Sequence, residues 1–192
     1  MNAKDAARLF IQLGTLQAEA DFGDGMTNLR VNKLLYFAQG YSLAKRNVPL
    51  FDEQIEAWDL GPVVPSVYHA YKGFKNNVLE DIPPERKLFS DSDYTLLLDV
   101  YNAAKSISTR GLVDISHKKD APWYDVYHNK NNQGGIISQE DIRKYFIAHP
   151  FCENPFDSVI EKLKQKAFTP ARDENGVAMI PKEKSNIHTA KE

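Results

Sequence analysis

The chain has 192 residues, 42% of them hydrophobic and 26% charged, with a net charge of −2. That length allows one domain with a sizeable core, and the near-neutral balance argues against a broad nucleic-acid-binding surface, which needs a basic excess. No window reaches the roughly 18 apolar residues of a membrane span, no basic-then-apolar start marks a secretory signal, and Cys152 is the only cysteine, so the expected setting is reducing and cytoplasmic.

In chain order, Ala3 to Glu19 reads as a helix, with Ala6, Leu9, Phe10, Leu13, Leu16 and Gln17 near a 3.6-residue period. Asp21-Phe22-Gly23-Asp24-Gly25 is a turn. Thr27 then caps a second helix, in which Val31, Leu34, Leu35, Ala38 and Tyr41 fall on one buried stripe. Lys45-Arg46-Asn47 and Pro49 end it. Gln54 to Asp59 reads as a short strand. Gly61-Pro62 breaks the pattern, with Pro62 or Pro65 in the first turn of a helix whose inner face is Val64, Val67, Tyr68 and Tyr71.

Beyond the extended Asp81-Ile82-Pro83-Pro84 connector, Ser90 with Asp93 resembles a capping box. The helix it opens carries Leu96, Leu97, Val100, Tyr101, Ala104 and Ile107. Thr109 caps a short helix through Leu112, Val113 and Ile115. Ser116 to Trp123 is a loop entering a further helical turn. Asn129 to Gly135 is polar and flexible, and Ile136-Ile137 can pair with the strand near Ile55. Ser138 and Asp141 start a helix through Ile142, Tyr145 and Phe146, and Asn154-Pro155 starts a last one, with Phe156, Val159, Ile160 and Leu163 inward. From Thr169 the periodicity stops. The expected architecture is mainly α: a single compact multi-helix domain over 1–168 with at most a small two- or three-stranded β-sheet, then a flexible or partner-ordered tail over 169–192.

Four segments carry a more specific pattern: Lys33-Leu34-Leu35-Tyr36-Phe37-Ala38-Gln39-Gly40-Tyr41, Pro49-Leu50-Phe51, Ile55-Glu56-Ala57-Trp58 and Gly61-Pro62-Val63-Val64-Pro65-Ser66-Val67-Tyr68. Together they resemble the core of the Panacea domain, the SocA-like antitoxin family that includes phage-associated proteins. Ser116-His117 with Pro122-Trp123 resembles the family's later His…Pro-Trp element. The resemblance runs over roughly residues 5 to 150, and its Trp…Gly-Pro-Val block is the specific part. It implies a bacterial, cytoplasmic antitoxin that neutralises a protein toxin, usually encoded beside it, by direct contact. Many members carry a further N-terminal DNA-binding domain; a chain of this length leaves no room for one, so nucleic acid is not an expected partner of this chain alone. A homo-oligomer is compatible with the sequence.

The same residues have plainer readings. Trp58 is a core anchor or part of a binding corner, since large aromatics serve both ends. Tyr36, Phe37 and Tyr41 are core or contact. His117 beside Trp123 is a loop-holding histidine or the centre of a hydrolase, although no nucleophile or second acid is evident. His149 and Cys152 have the spacing of two metal ligands, but no second pair completes a site, and nothing marks Cys152 as activated. Lys162, Lys164 and Lys166 read as a solvated face, and Gly134-Gly135 matches no phosphate loop. The candidate partner-binding residues are therefore Tyr36, Trp58, Pro62, Val63, Tyr68, His117 and Trp123. No catalytic residue, metal or cofactor is expected. The rival to the antitoxin reading is an adaptor that delivers a bound client to a protease or other machine, with the tail as its delivery element; the hydrolase centred on His117 comes third.

Overall fold

Thr27 sets the start of the central helix. Its hydroxyl accepts the Arg30 N–H at 3.3 Å, and α2 runs Asn28–Arg46. The helix stops where Asn47 turns left-handed (φ 57°) and its N–H returns to the Leu43 carbonyl, a helix end that Asn tolerates well. This computed structural model describes residues 1–21 and 25–152. Within Met1–Glu153, one compact unit, α2 packs against α1 (Ala3–Asp21), α4 (Asp91–Ala104), α5 (Thr109–Ser116) and α7 (Gln139–Ala148). α3 (Pro65–Tyr71), α6 (Pro122–Tyr124), a single turn that runs on into a π-helical turn over Asp125–Asn129, and 3₁₀ turns at Lys72–Phe74 and Arg86–Leu88 complete the helical part of the described residues.

The expected single stripe on α2 is a correction: every residue from Val31 to Leu43 is buried. A helix enclosed on all sides must satisfy its polar side chains internally, and α2 does. The Gln39 amide donates to the Phe51 carbonyl at 3.0 Å and accepts the Leu50 N–H at 2.8 Å. Asn32 accepts the Val64 N–H at 2.9 Å and donates to Asn28. The loop and hairpin after α2 are thus hung on the helix by side-chain amides. At Gly40 the absence of a side chain lets α7 close: a Cβ there would lie 2.2 Å from the Phe146 ring.

The mainly α architecture is as expected, and the sheet is small. β1 (Glu56–Trp58) pairs antiparallel with β2 (Gly61–Val63). Ile136 bridges Glu56 on the other edge, with the Ile137 N–H donating to the Ile55 carbonyl at 2.8 Å, the pairing anticipated from Ile136-Ile137. Gly61-Pro62 does not start a helix; it forms β2, and Pro65 alone takes the first turn of α3. Gly61 has φ +102°, a conformation open to glycine, and this lets the chain double back after Trp58.

Two further expectations change. Leu16 is 55% exposed, because periodicity shows which way a residue faces but not where the neighbouring element ends. Ser108, not Thr109, caps α5: its hydroxyl accepts the Gly111 N–H at 3.1 Å, and Thr109 is the first helical residue. Ser108→Ala should therefore cost about 1 kcal/mol, and Thr109→Ala less than half of that, read from urea midpoints; equal losses would return the cap to Thr109. The helix expected from Asn154, the basic face at Lys162, Lys164 and Lys166, the tail from Thr169 and most of the Asp21–Gly25 turn lie outside the described residues.

Candidate functional site: an aromatic groove over a buried lysine

The β1–β2 hairpin places alternate side chains on opposite faces. Ala57 points into the core, while Glu56 and Trp58 point outward. Val63 stands across from Glu56 and Gly61 across from Trp58. The Trp58 indole N–H donates to the Glu56 carboxylate at 2.8 Å. Its ring meets Tyr68 edge-on at 4.9 Å, a favourable quadrupole arrangement.

Between them opens a groove of about 690 Å³, walled by Leu29, Trp58, Leu60, Val63 and Tyr68, with Asn28, Asn32, Asp59, Gln133 and Gly134 on one side and Lys72, Lys75 and Asn76 at the end of α3. Leu60 is 58% exposed and Tyr68 36%. Trp58 is half-buried. Leu60 is not isolated but shares one groove with Trp58, Val63 and Tyr68, and clustered apolar surface of this kind marks interaction sites.

Beneath the groove lies a polar layer. Lys33 on α2 is fully enclosed, and its ammonium donates to the Pro62 carbonyl at 2.9 Å. Burial pulls its pKa down to about 7, because desolvation penalises the charged form. His117 stacks flat on Trp123, with ring centroids 3.7 Å apart. Its Nε2 is buried without a hydrogen-bond partner. Burial first, and then the Lys33 charge, push the imidazole down to about 4, against an opposing hydrogen bond with the Leu60 backbone. Trp123 is buried, donates its indole N–H to the Trp58 carbonyl at 2.9 Å, and stacks on Tyr127 at 4.8 Å. Lys33 Nζ, Ser116 Oγ and His117 Nε2 all converge on Gly61: a Cβ there would lie 2.7, 2.9 and 3.0 Å from them.

The seven candidate residues therefore separate. Trp58, Val63 and Tyr68 meet on the groove wall. Pro62, His117 and Trp123 lie below it and hold the hairpin. Tyr36 is a correction: it is fully enclosed, packs on Phe37 and Phe146, and offers no surface to a partner in this conformation. Lys33 and Leu60 were not singled out as site residues. A lysine running directly into Leu34, Leu35, Tyr36, Phe37 and Ala38 was the available signal, because such a residue must find an internal partner. Leu60 stands in a tight hairpin turn, which forces its side chain outward.

The Ser116 hydroxyl is spent on the Val113 carbonyl at 2.8 Å, so it is not held by His117 as a nucleophile would be. His149 pairs with Asp120 at 3.1 Å. Burial pushes the Cys152 thiol up to about 12, the opposite of activation. Among the described residues no cluster of three metal-ligating side chains occurs, and no helix is long and apolar enough to cross a membrane.

The comparisons with known proteins agree with this frame. The family model for the SocA-like antitoxins, Panacea domain, matches residues 31–124, a span from α2 to α6 that contains the hairpin, most of the groove wall and the buried layer. Over that span the chain is similar to the SocA-like Panacea family. It is also similar to antitoxin SocA of Caulobacter vibrioides (strain NA1000 / CB15N), with 31% identity over 119 residues, covering 54% of this chain and 61% of that protein. The chain thus spans about three-fifths of the length of that curated relative. No solved structure matches it.

Proposed function

We propose that the protein is a non-catalytic antitoxin that neutralises a protein toxin by direct contact, with the Trp58–Leu60–Tyr68 groove as the contact surface. The observation that carries the reading is the half-open aromatic pair beside an exposed leucine, fixed from below by hydrogen bonds from Lys33 and Trp123. Rigid aromatic anchors give binding energy at low cost in conformational entropy. The match to the antitoxin family model supports the role, and the similarity to antitoxin SocA points the same way.

Co-expression with the neighbouring reading frame tests it. The neighbour should stop growth alone, be harmless beside this chain and co-elute with it. A neighbour that is harmless alone, or that never co-elutes, removes the antitoxin reading. Tyr68→Ala separates contact from support. It should weaken co-purified binding by about tenfold or more while shifting the urea midpoint little, because the side chain is only half-covered. His117→Ala should lose stability and binding together. If Tyr68→Ala also loses both in step, Tyr68 is a packing residue and the groove is not the contact.

A further inference from the structure

The groove is not uniformly apolar. Lys72 follows Tyr68 by one helical turn, and Lys75 follows at the end of the adjoining 3₁₀ turn. Both line the groove and are exposed. Neither ammonium has a carboxylate within ion-pair distance among the described residues, unlike the pairs Arg8–Asp81, Arg46–Asp93 and Lys130–Asp125 elsewhere on the surface. The acidic side chain in the wall, Asp59, belongs to the hairpin turn and already accepts the Tyr127 hydroxyl at 2.9 Å. The result is a directional surface: exposed Leu60 and the Trp58–Tyr68 pair, then two cations with no counter-charge. Position 134 on the hairpin side is also open, since a Cβ there would meet nothing within 4 Å.

From this the geometry points to the chemistry of the occupant: a protein segment that presents a large apolar side chain to Trp58, Leu60 and Tyr68, followed by acidic residues that reach Lys72 and Lys75. This rests on the groove being the contact surface of the proposed function, and it adds the partner's charge and polarity. The apolar anchor supplies affinity, while the lysines select orientation and reject basic segments.

The test uses the full-length protein and two short fluorescein-labelled peptides, Leu-Phe followed by an Asp/Glu run and Leu-Phe followed by a Lys run, read by anisotropy. The acidic peptide should bind about tenfold or more tighter than the basic one at low salt, with the gap narrowing as salt rises. Lys72→Glu with Lys75→Glu should abolish or invert the preference while far-UV circular dichroism and the urea midpoint stay unchanged. Lys72→Gln alone, which keeps the fold least disturbed, should narrow the gap. Leu60→Ala should weaken both peptides. Equal binding of the two peptides, binding of neither, or full competition by an oligo-dT strand overturns the inference, the last because it would make the aromatic–lysine surface a single-strand platform. No toxin enters this measurement. A failed growth rescue with an intact peptide preference removes the antitoxin reading and leaves the docking chemistry, and the reverse result does the opposite.

Discussion

Gly61→Ala should destabilise the protein by about 3–5 kcal/mol, a large part of the 5–15 kcal/mol that holds a typical domain together. Two effects add. The backbone at φ +102° is strained for any residue with a side chain, at about 1–3 kcal/mol. The new methyl group would also press on Lys33 Nζ, Ser116 Oγ and His117 Nε2 at 2.7, 2.9 and 3.0 Å. Overpacking of a filled site costs about 1–3 kcal/mol. Lys33 cannot simply swing aside, because its ammonium is enclosed and bound to the Pro62 carbonyl. Gly134→Ala is the internal control. Gly134 also has positive φ, +79°, but a Cβ there meets nothing, so only the backbone penalty applies. Urea unfolding of the two variants side by side measures the crowding directly. Equal losses would mean that the three polar groups do not crowd Gly61.

The second large effect is a rise of stability with pH. Burial lowers the Lys33 pKa to about 7 in the fold from its ordinary 10.5. Between those values the unfolded chain holds a proton that the folded chain has released, so unfolding takes up protons and stability climbs with pH. Below pH 7 both states are charged and the fold carries the full cost of the enclosed ammonium. From pH 7 to pH 9 the gain should be about 2 kcal/mol. Above pH 9 Cys152 works the other way: its thiol is raised to about 12 in the fold, so the unfolded chain ionises first and stability falls. His117 adds a separate window. Its pKa is lowered to about 4, so stability is lost as pH falls from about 6.5 towards 4, where only the unfolded imidazole takes up a proton. Lys33→Met should flatten the climb between pH 7 and 9. It should also let the His117 midpoint, followed by NMR, move up once the neighbouring charge is gone. A variant whose stability still climbs as steeply would show that Lys33 is not the group responsible.

Much of this fold was readable from periodicity and end signals. Thr27, Ser90 and Ser138 each cap the helix they were expected to open, because a side-chain oxygen meeting a free N–H is a local event. Ile136 finds the strand near Ile55 on the edge that β2 leaves open. What failed depended on distant parts of the chain. Tyr36 has an interface-like side chain, but α7 covers it through Phe146. Pro62 looked like a helix start, but Gly61's positive φ turns it back into a strand. The motif Ile55-Glu56-Ala57-Trp58…Gly61-Pro62-Val63 did mark the right place. It could not show that Trp58 faces out while Trp123 faces in, since Trp123 docks on the Trp58 carbonyl from 65 positions away.

That hydrogen bond has an optical consequence. Trp58 and Trp123 are the only two tryptophans in the chain, and they are joined indole to carbonyl. The tryptophan emission of the unlabelled protein therefore comes from this one neighbourhood: a half-wet indole on the groove wall and a dry one against an imidazole. The protein carries its own dye at the place of interest, and anything that settles in the groove or loosens the hairpin changes its colour or its brightness.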